Sequence, residues 1–175
     1  MISNGRRDVV RVATSCMTGP LFVDTNVLIY ARDSREPRKQ QAARTWLEYL
    51  WREQLGRTST QVLNEYYTNA TGKLAAWITQ GDARAEVRRY QHWKPWQIDH
   101  QTVETAWAVE ARYKLGWWDS MIVAAAQHQS CTLLLAEHLQ HGQVIDKLQI
   151  VNPFLVGPEI LDGNSPVPTV QEPSP

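Results

Sequence analysis

Apolar positions along the chain follow two patterns. Leu21-Phe22-Val23 is an unbroken run that stops at Asp24, and Thr132–Leu135 and Ile150-Val151 are similar. Such short runs read as strands buried on both faces. Between them, apolar residues recur at three- and four-residue steps. Ala43, Trp46, Leu47, Leu50 and Trp51 share one helix face, with Pro37 suited to the first turn and Gly56 expected to close the helix. Asn26–Ala31 reads as helix, and so does Val62–Ala70, which carries Glu65 and takes Thr60 as its N-cap. Gly81-Asp82 opens a basic helix. Asp99 caps another, on which Val103, Trp107, Ala111 and Leu115 keep a four-residue step. After Trp117-Trp118-Asp119 a helix follows with Ile122, Val123, Ala125 and Ala126 as its buried face. Thr58-Ser59-Thr60 and Ile98 are weaker strand signals. Strands separated by helices predict an α/β domain: a short central parallel sheet flanked by helices on both faces.

This periodic region spans 20–155. Residues 1–19 show no apolar face, and Arg11 breaks their apolar run too early for a signal peptide. They are expected to be a flexible extension, with 1–16 dispensable and Met17 an alternative start. Residues 156–175 are Pro-rich and expected to be a disordered tail. With 175 residues, 43% of them hydrophobic, the chain has material for one core. No apolar run approaches the ~20 residues of a membrane helix. Two cysteines, Cys16 and Cys131, make no disulfide framework, so the cytoplasm is the expected compartment. Net charge is zero, yet residues 1–60 hold 10 Lys/Arg against 6 Asp/Glu, and residues 120–175 hold 1 against 5. That is either ordinary surface variation or a bipolar surface.

In open α/β sheets, ligands bind outside the carboxyl ends of the strands. Asp24 directly follows the first strand, and Glu137 and His138 follow the third. Asp119 begins the helix leading into that third strand, and Glu65 lies on an earlier helix. Each has an ordinary alternative: Asp24 and Asp119 as N-caps, Glu65 as a solvated carboxylate, His138 as a turn histidine. Taken together they suggest chemistry, because clustered carboxylates repel and persist only with protons or cations. Oxygen ligands of this kind suit Mg²⁺ or Mn²⁺. Other chemistries lack their signatures. There is no GxxxxGK[ST] loop, GxGxxG turn, HExxH, Cys pair, D-x-D or G-x-S-x-G; His138 and His141 form only H-x-x-H.

LFVDTNVLIY (Leu21–Tyr30), VLNE (Val62–Glu65), WDSMIVAAA (Trp118–Ala126) and LLAEHLQHGQVIDKLQIVNPF (Leu134–Phe154) together resemble a PIN domain of the VapC type. Proteins of that type are metal-dependent ribonucleases, the toxins of bacterial toxin–antitoxin pairs. The resemblance implies that Asp24, Glu65 and Asp119 are the core acids. Asp24 and Asp119 would hold Mg²⁺ or Mn²⁺ directly, Glu65 and His138 would be further candidate ligands, and Thr25, Asn26 and Ser120 would support them. It implies endonucleolytic cleavage of RNA, an antitoxin partner and a homodimer. The helices of residues 37–75, with Trp46, Trp51, Tyr66 and Tyr67, are the expected dimer face.

The chain departs from the family at A-E-H, where S-E-D is usual, so His138 stands in place of an acid. This leaves open whether His138 or Glu137 fills that position. It also supports an alternative, a PIN-fold module that binds RNA or a partner with weak or no catalysis. A structure-specific DNA nuclease is a third reading, against which the short length argues. Arg84, Arg88 and Arg89 are candidate phosphate contacts. Among the eight tryptophans, Trp93 and Trp96 are better candidates for stacking on bases than Trp46, Trp51 and Trp107, which sit at helix-core spacing.

Overall fold

The computed structural model describes residues 19–74 and 76–162. The expected N-terminal extension, residue 19 apart, and the tail beyond 162 lie outside the described residues. Five strands form one sheet in the order β2-β1-β3-β5-β4: β1 (Leu21–Val23), β2 (Gly56–Arg57), β3 (Leu133–Leu135), β4 (Val144–Ile145) and β5 (Leu148–Val151). The first four in that order run parallel, with Leu21 opposite both Gly56 and Leu133, and Leu133 opposite Gln149. β4 pairs antiparallel with β5. Alternate side chains of a strand point to opposite faces, yet every residue of β1, β3 and β5 is buried, so both faces of the sheet are covered. The helices are α1 (Thr25–Tyr30), α2 (Pro37–Arg52), α3 (Thr60–Thr71), α4 (Gln80–Tyr90), α5 (His100–Tyr113) and α6 (Trp117–His128). Among the described residues no helix is long and apolar enough to cross a membrane. The fold is the α/β architecture that the alternation of runs and periods predicts. Its central feature is the pairing of β1 with β3, which brings Asp24 and residues 136–138 to the same edge.

Several local expectations are corrected. The second strand lies at Gly56-Arg57, just before Thr58–Thr60. Gly56 therefore does not close α2. That helix ends at Arg52, and Gln54 takes the left-handed conformation at φ 57°. Glycine is needed at 56 for another reason: a Cβ there would lie 2.3 Å from the ring of Trp93. Ser59 rather than Thr60 caps α3, its Oγ accepting from the Val62 N–H at 3.3 Å. Ile98 belongs to no strand; the contact in that region is a single bridge between Ser59 and Trp96. β4 carries no sequence signal, being two residues long with Val144 exposed. Its turn depends on distant donors: the Asp146 carboxylate accepts from Arg112 Nη1 at 3.0 Å, the Tyr113 hydroxyl at 2.9 Å and Gln127 Nε2 at 3.0 Å.

On α5 the buried face is Thr102, Ala106 and Val109, while Trp107 and Ala111 are exposed. A strict four-residue step advances about 40° around a helix at each repeat, so four such positions cannot share one face. The folded part also extends past residue 155. Trp46 is fully buried and its Nε1 donates to the Val156 carbonyl at 2.9 Å. Pro158–Asp162 then forms a 3₁₀ turn with Ile160 buried. Trp46 and Tyr66 are thus absorbed into the core of one chain, while Trp51 and Tyr67 are half-buried. Of the four aromatics that suggested a dimer through residues 37–75, two are spent in the core and two keep part of their surface.

The Trp93 ring packed on Gly56 gives a direct check. Gly56→Ala should lower stability by about 2 kcal/mol through overpacking. The change should be read as a lower urea midpoint with an unchanged slope.

Candidate functional site

β1 delivers Asp24 to the carboxyl edge of the sheet, and the chain turns there into α1. Asp24 is the N-cap of that helix, with φ −73° and ψ 156°, and its Oδ1 accepts from the Thr25 N–H at 2.6 Å. Asn26 Nδ2 donates to Oδ2 at 3.4 Å. The capping role is real, but the environment is not that of an ordinary surface cap, because Asp24 is only 8% exposed. Thr25, also buried, donates through Oγ1 to Glu65 Oε2 at 2.7 Å. One helical turn before Glu65, Gln61 donates through Nε2 to Oε1 at 2.9 Å. Both carboxylate oxygens of Glu65 are therefore held, one from α1 and one from its own helix.

Asp119 lies in the first turn of α6, but Gly116 is the N-cap, so the cap reading of Asp119 does not hold. Ser120, next to it, is fully buried, and its Oγ has no hydrogen-bond partner among the described residues. His138 follows β3, whose Leu135 carbonyl accepts from the Asp24 N–H at 3.0 Å. Asp24 senses Glu65, Asp119 and His138 electrostatically, and Asp119 senses His138 and Glu65. The four predicted groups, from four parts of the chain, thus lie near enough to act on one another electrostatically.

The carboxyl of Asp24 is pushed up to about 6. Burial is the main cause; Glu65 and Asp119 add repulsion, while the Thr25 N–H and His138 oppose. Asp119 is raised too, by burial first, with His138 opposing and Glu65 adding. This is a cluster short of positive charge. Its donors are carboxylates with one imidazole and a buried hydroxyl in need of a partner, a set that suits a hard divalent cation. As the side chains stand, no three His, Cys, Asp or Glu groups among the described residues share one ion-sized site.

Glu137 and His138 part company. Glu137 forms an ion pair with Lys39 at the start of α2. The Lys39 ammonium also donates to the Tyr30 hydroxyl at 3.1 Å and lies over the rings of Tyr30 and Phe154. His138 is exposed, and its charge acts on Asp24 and Asp119. His141 is a packing residue: its Nδ1 accepts from the Asn152 N–H at 3.2 Å, and burial lowers its pKa.

The other candidates are placed elsewhere. Arg84, Arg88 and Arg89 lie exposed on α4, and none is among the charges acting on Asp24 or Asp119. Arg89 lies over the Trp51 ring and 3.7 Å from Glu86. A cavity of about 500 Å³ lined by Arg32, Arg44, Arg89 and Trp51 contains none of the acids. Trp93 is buried, and Trp96 stacks on His128 while donating to Thr102 at 2.8 Å, so neither offers a free ring. Sequence reasoning missed Gln61 and Lys39. Gln61 was legible as the residue four before Glu65. Nothing local marks Lys39, whose partner is 98 residues away.

The raised Asp24 has a consequence for stability. Between the unfolded value of 3.8 and about 6, the folded chain holds a proton that the unfolded chain releases. This group therefore weakens the metal-free fold as pH rises through that window, by up to ~3 kcal/mol at pH 7. Asparagine caps a helix as well as aspartate. In EDTA, Asp24→Asn should melt higher than the natural chain at pH 7, and the difference should vanish near pH 4.

The family model described as the PIN domain matches residues 21–138. No curated protein sequence matches the chain. Among solved structures, that of Mycobacterium tuberculosis VapC20, a sarcin–ricin loop cleaving toxin, is 19% identical, with a TM-score of 0.48. That match covers 65% of this chain and 86% of the other. The family match runs from the strand that delivers Asp24 to His138 beyond β3, and takes in Glu65 and Asp119 on the way; the chain belongs to the PIN domain family.

Proposed function

We propose that this chain is a metal-dependent endoribonuclease that acts as the toxin of a toxin–antitoxin pair. The observation that carries the reading is the convergence of Asp24, Glu65 and Asp119 at one sheet edge, with burial and mutual repulsion raising two of the three. The assignment to RNA, and to a toxin with a cognate antitoxin, rests on family membership and on the resemblance of Leu134–Phe154 to VapC sequences.

Asp24 and Asp119 would hold Mg²⁺ or Mn²⁺, with Glu65 and His138 next in reach. When bound, such an ion supplies Lewis-acid polarisation of the scissile phosphate and lowers the pKa of the water that attacks it. Glu65 is fixed by Thr25 and Gln61 and keeps spare lone pairs, so it can take the proton from that water. Asn26 steadies Oδ2 of Asp24. The hydroxyl of Ser120, buried and unpartnered among the described residues, is available to orient Asp119.

A second reading is favoured by one observation. The residue after Glu137 is a histidine where the resemblance expects an acid, and its charge acts on Asp24 and Asp119. A site with one negative charge fewer binds a hard cation less well, and the chain would then bind RNA or a protein with little catalysis.

The tests are direct. Asp24→Asn and Asp119→Asn should each abolish RNA cleavage in Mg²⁺ or Mn²⁺ while the circular dichroism spectrum is unchanged; undiminished cleavage by either would overturn the nuclease assignment. His138→Asp should raise cleavage at limiting Mg²⁺ about tenfold, since ~1.4 kcal/mol of restored ion binding is a factor of ten. Mn²⁺, which accepts imidazole, should show a smaller gain.

A further inference from the structure

The fold uses its tryptophans unevenly. Trp46 and Trp93 are in the core, and Trp51 packs on Tyr90 and Trp93. Trp96 is stacked on His128. Trp107 pairs with Trp117 and meets His100 edge-on, and Trp77 lies beneath the Arg35 guanidinium. Trp118 differs from all of these. It is 64% exposed, and its ring has no aromatic, cationic or hydrogen-bonding partner among the described residues. Large aromatic side chains are normally well buried, and one left open on an ordered helix is out of keeping with packing needs.

Its position is informative. Trp118 is the residue before Asp119 in the first turn of α6. Consecutive helix residues diverge by about 100°, so its ring flanks the acid cluster without filling it. The Cα atoms of the two residues are only ~3.8 Å apart. A phosphodiester held at Asp24 and Asp119 therefore carries a base within reach of this ring. A lone ring, set apart from the Trp107–Trp117 pair, presents one planar surface and not an extended apolar face of the kind that docks a protein.

We propose that Trp118 is a base-stacking residue, holding a nucleobase adjacent to the phosphate that the acids receive. This rests on the ribonuclease reading and adds to it a requirement that the bound strand present an unpaired base at that point. Stacking on an aromatic side chain tolerates any base, because each has a π face, so Trp118 would set affinity and register without selecting a sequence. Trp93 and Trp96, the tryptophans favoured by sequence spacing, are excluded from this role by their packing.

The test uses the Glu65→Gln chain with Mg²⁺, which keeps both aspartates that would hold the ion and removes the group that takes the proton from water, so that binding is measured without cleavage. Two fluorescein-labelled probes of equal length are compared by anisotropy: oligoadenylate and an abasic ribose-phosphate oligomer. Stacking on an aromatic residue is worth roughly five- to a hundredfold in affinity. Oligoadenylate should bind about tenfold more tightly than the abasic oligomer. Adding Trp118→Ala should remove that preference and leave abasic binding unchanged. Trp118→Phe should retain most of it, which separates loss of the ring from loss of the fold, and Trp107→Ala should retain all of it. A preference that survives Trp118→Ala, or one that is absent with Trp118 present, overturns the stacking role. Cleavage of RNA by the natural chain is assayed separately. Its absence overturns the nuclease reading and this inference together, whereas cleavage without the Trp118 effect overturns only the inference.

Discussion

The site depends on a carboxylate buried where a strand hands over to a helix. Asp24 cannot move away from the carboxyl edge, because its N–H is bonded to the Leu135 carbonyl and its Oδ1 caps α1. It is also poorly solvated, at 8% exposure. The cap and Asn26 satisfy its hydrogen-bonding needs but leave its charge unbalanced. Arranging Glu65 and Asp119 around such a group adds repulsion to desolvation. A fold under selection for stability alone would place a cation or a neutral residue here. The acids persist in an arrangement that a divalent ion would stabilise.

Other parts of the edge position this cluster. Thr25 ties α1 to α3 through Glu65, so the first and second acids are linked by one hydroxyl. Lys39 holds Glu137 on the Tyr30–Phe154 side, and the next residue, the exposed His138, contributes charge to Asp24 and Asp119. The position after β3 whose charge acts on both Asp24 and Asp119 is a histidine.

Much of this was legible in the sequence where a pattern is local. Leu21–Val23 ending at Asp24, and the apolar faces of α2 and α6, give the parallel sheet and two of the acids. What escaped was set by long-range contacts. Gly56 looked like a helix terminator because Trp93, 37 positions on, is invisible as its neighbour. The four-residue step on α5 misled because helix geometry does not keep such a step on one face. The segment after 155 looked like a tail because a Pro-rich composition does not reveal a tryptophan Nε1 waiting for the Val156 carbonyl. The ion pair that holds Glu137 depends on Lys39, nearly a hundred residues earlier.

The directions in which Asp24, Asp33, Asp99 and Asp119 are shifted separate their roles. Asp33 is lowered by its bidentate partner Arg35, and Asp99 by capping Thr102. Both hold loops or helix ends, and each has the donors that a structural carboxylate needs. Asp146 likewise collects donors from Arg112, Tyr113 and Gln127 to fasten the β4–β5 turn. Asp24 and Asp119 are the ones raised. What differs is charge: Arg35 sits on Asp33 and Arg112 on Asp146, whereas Asp24 has donors from Thr25 and Asn26 but forms no ion pair among the described residues. Asp24 and Asp119 therefore carry repulsion that the structural aspartates do not, which is the pattern of a functional cluster.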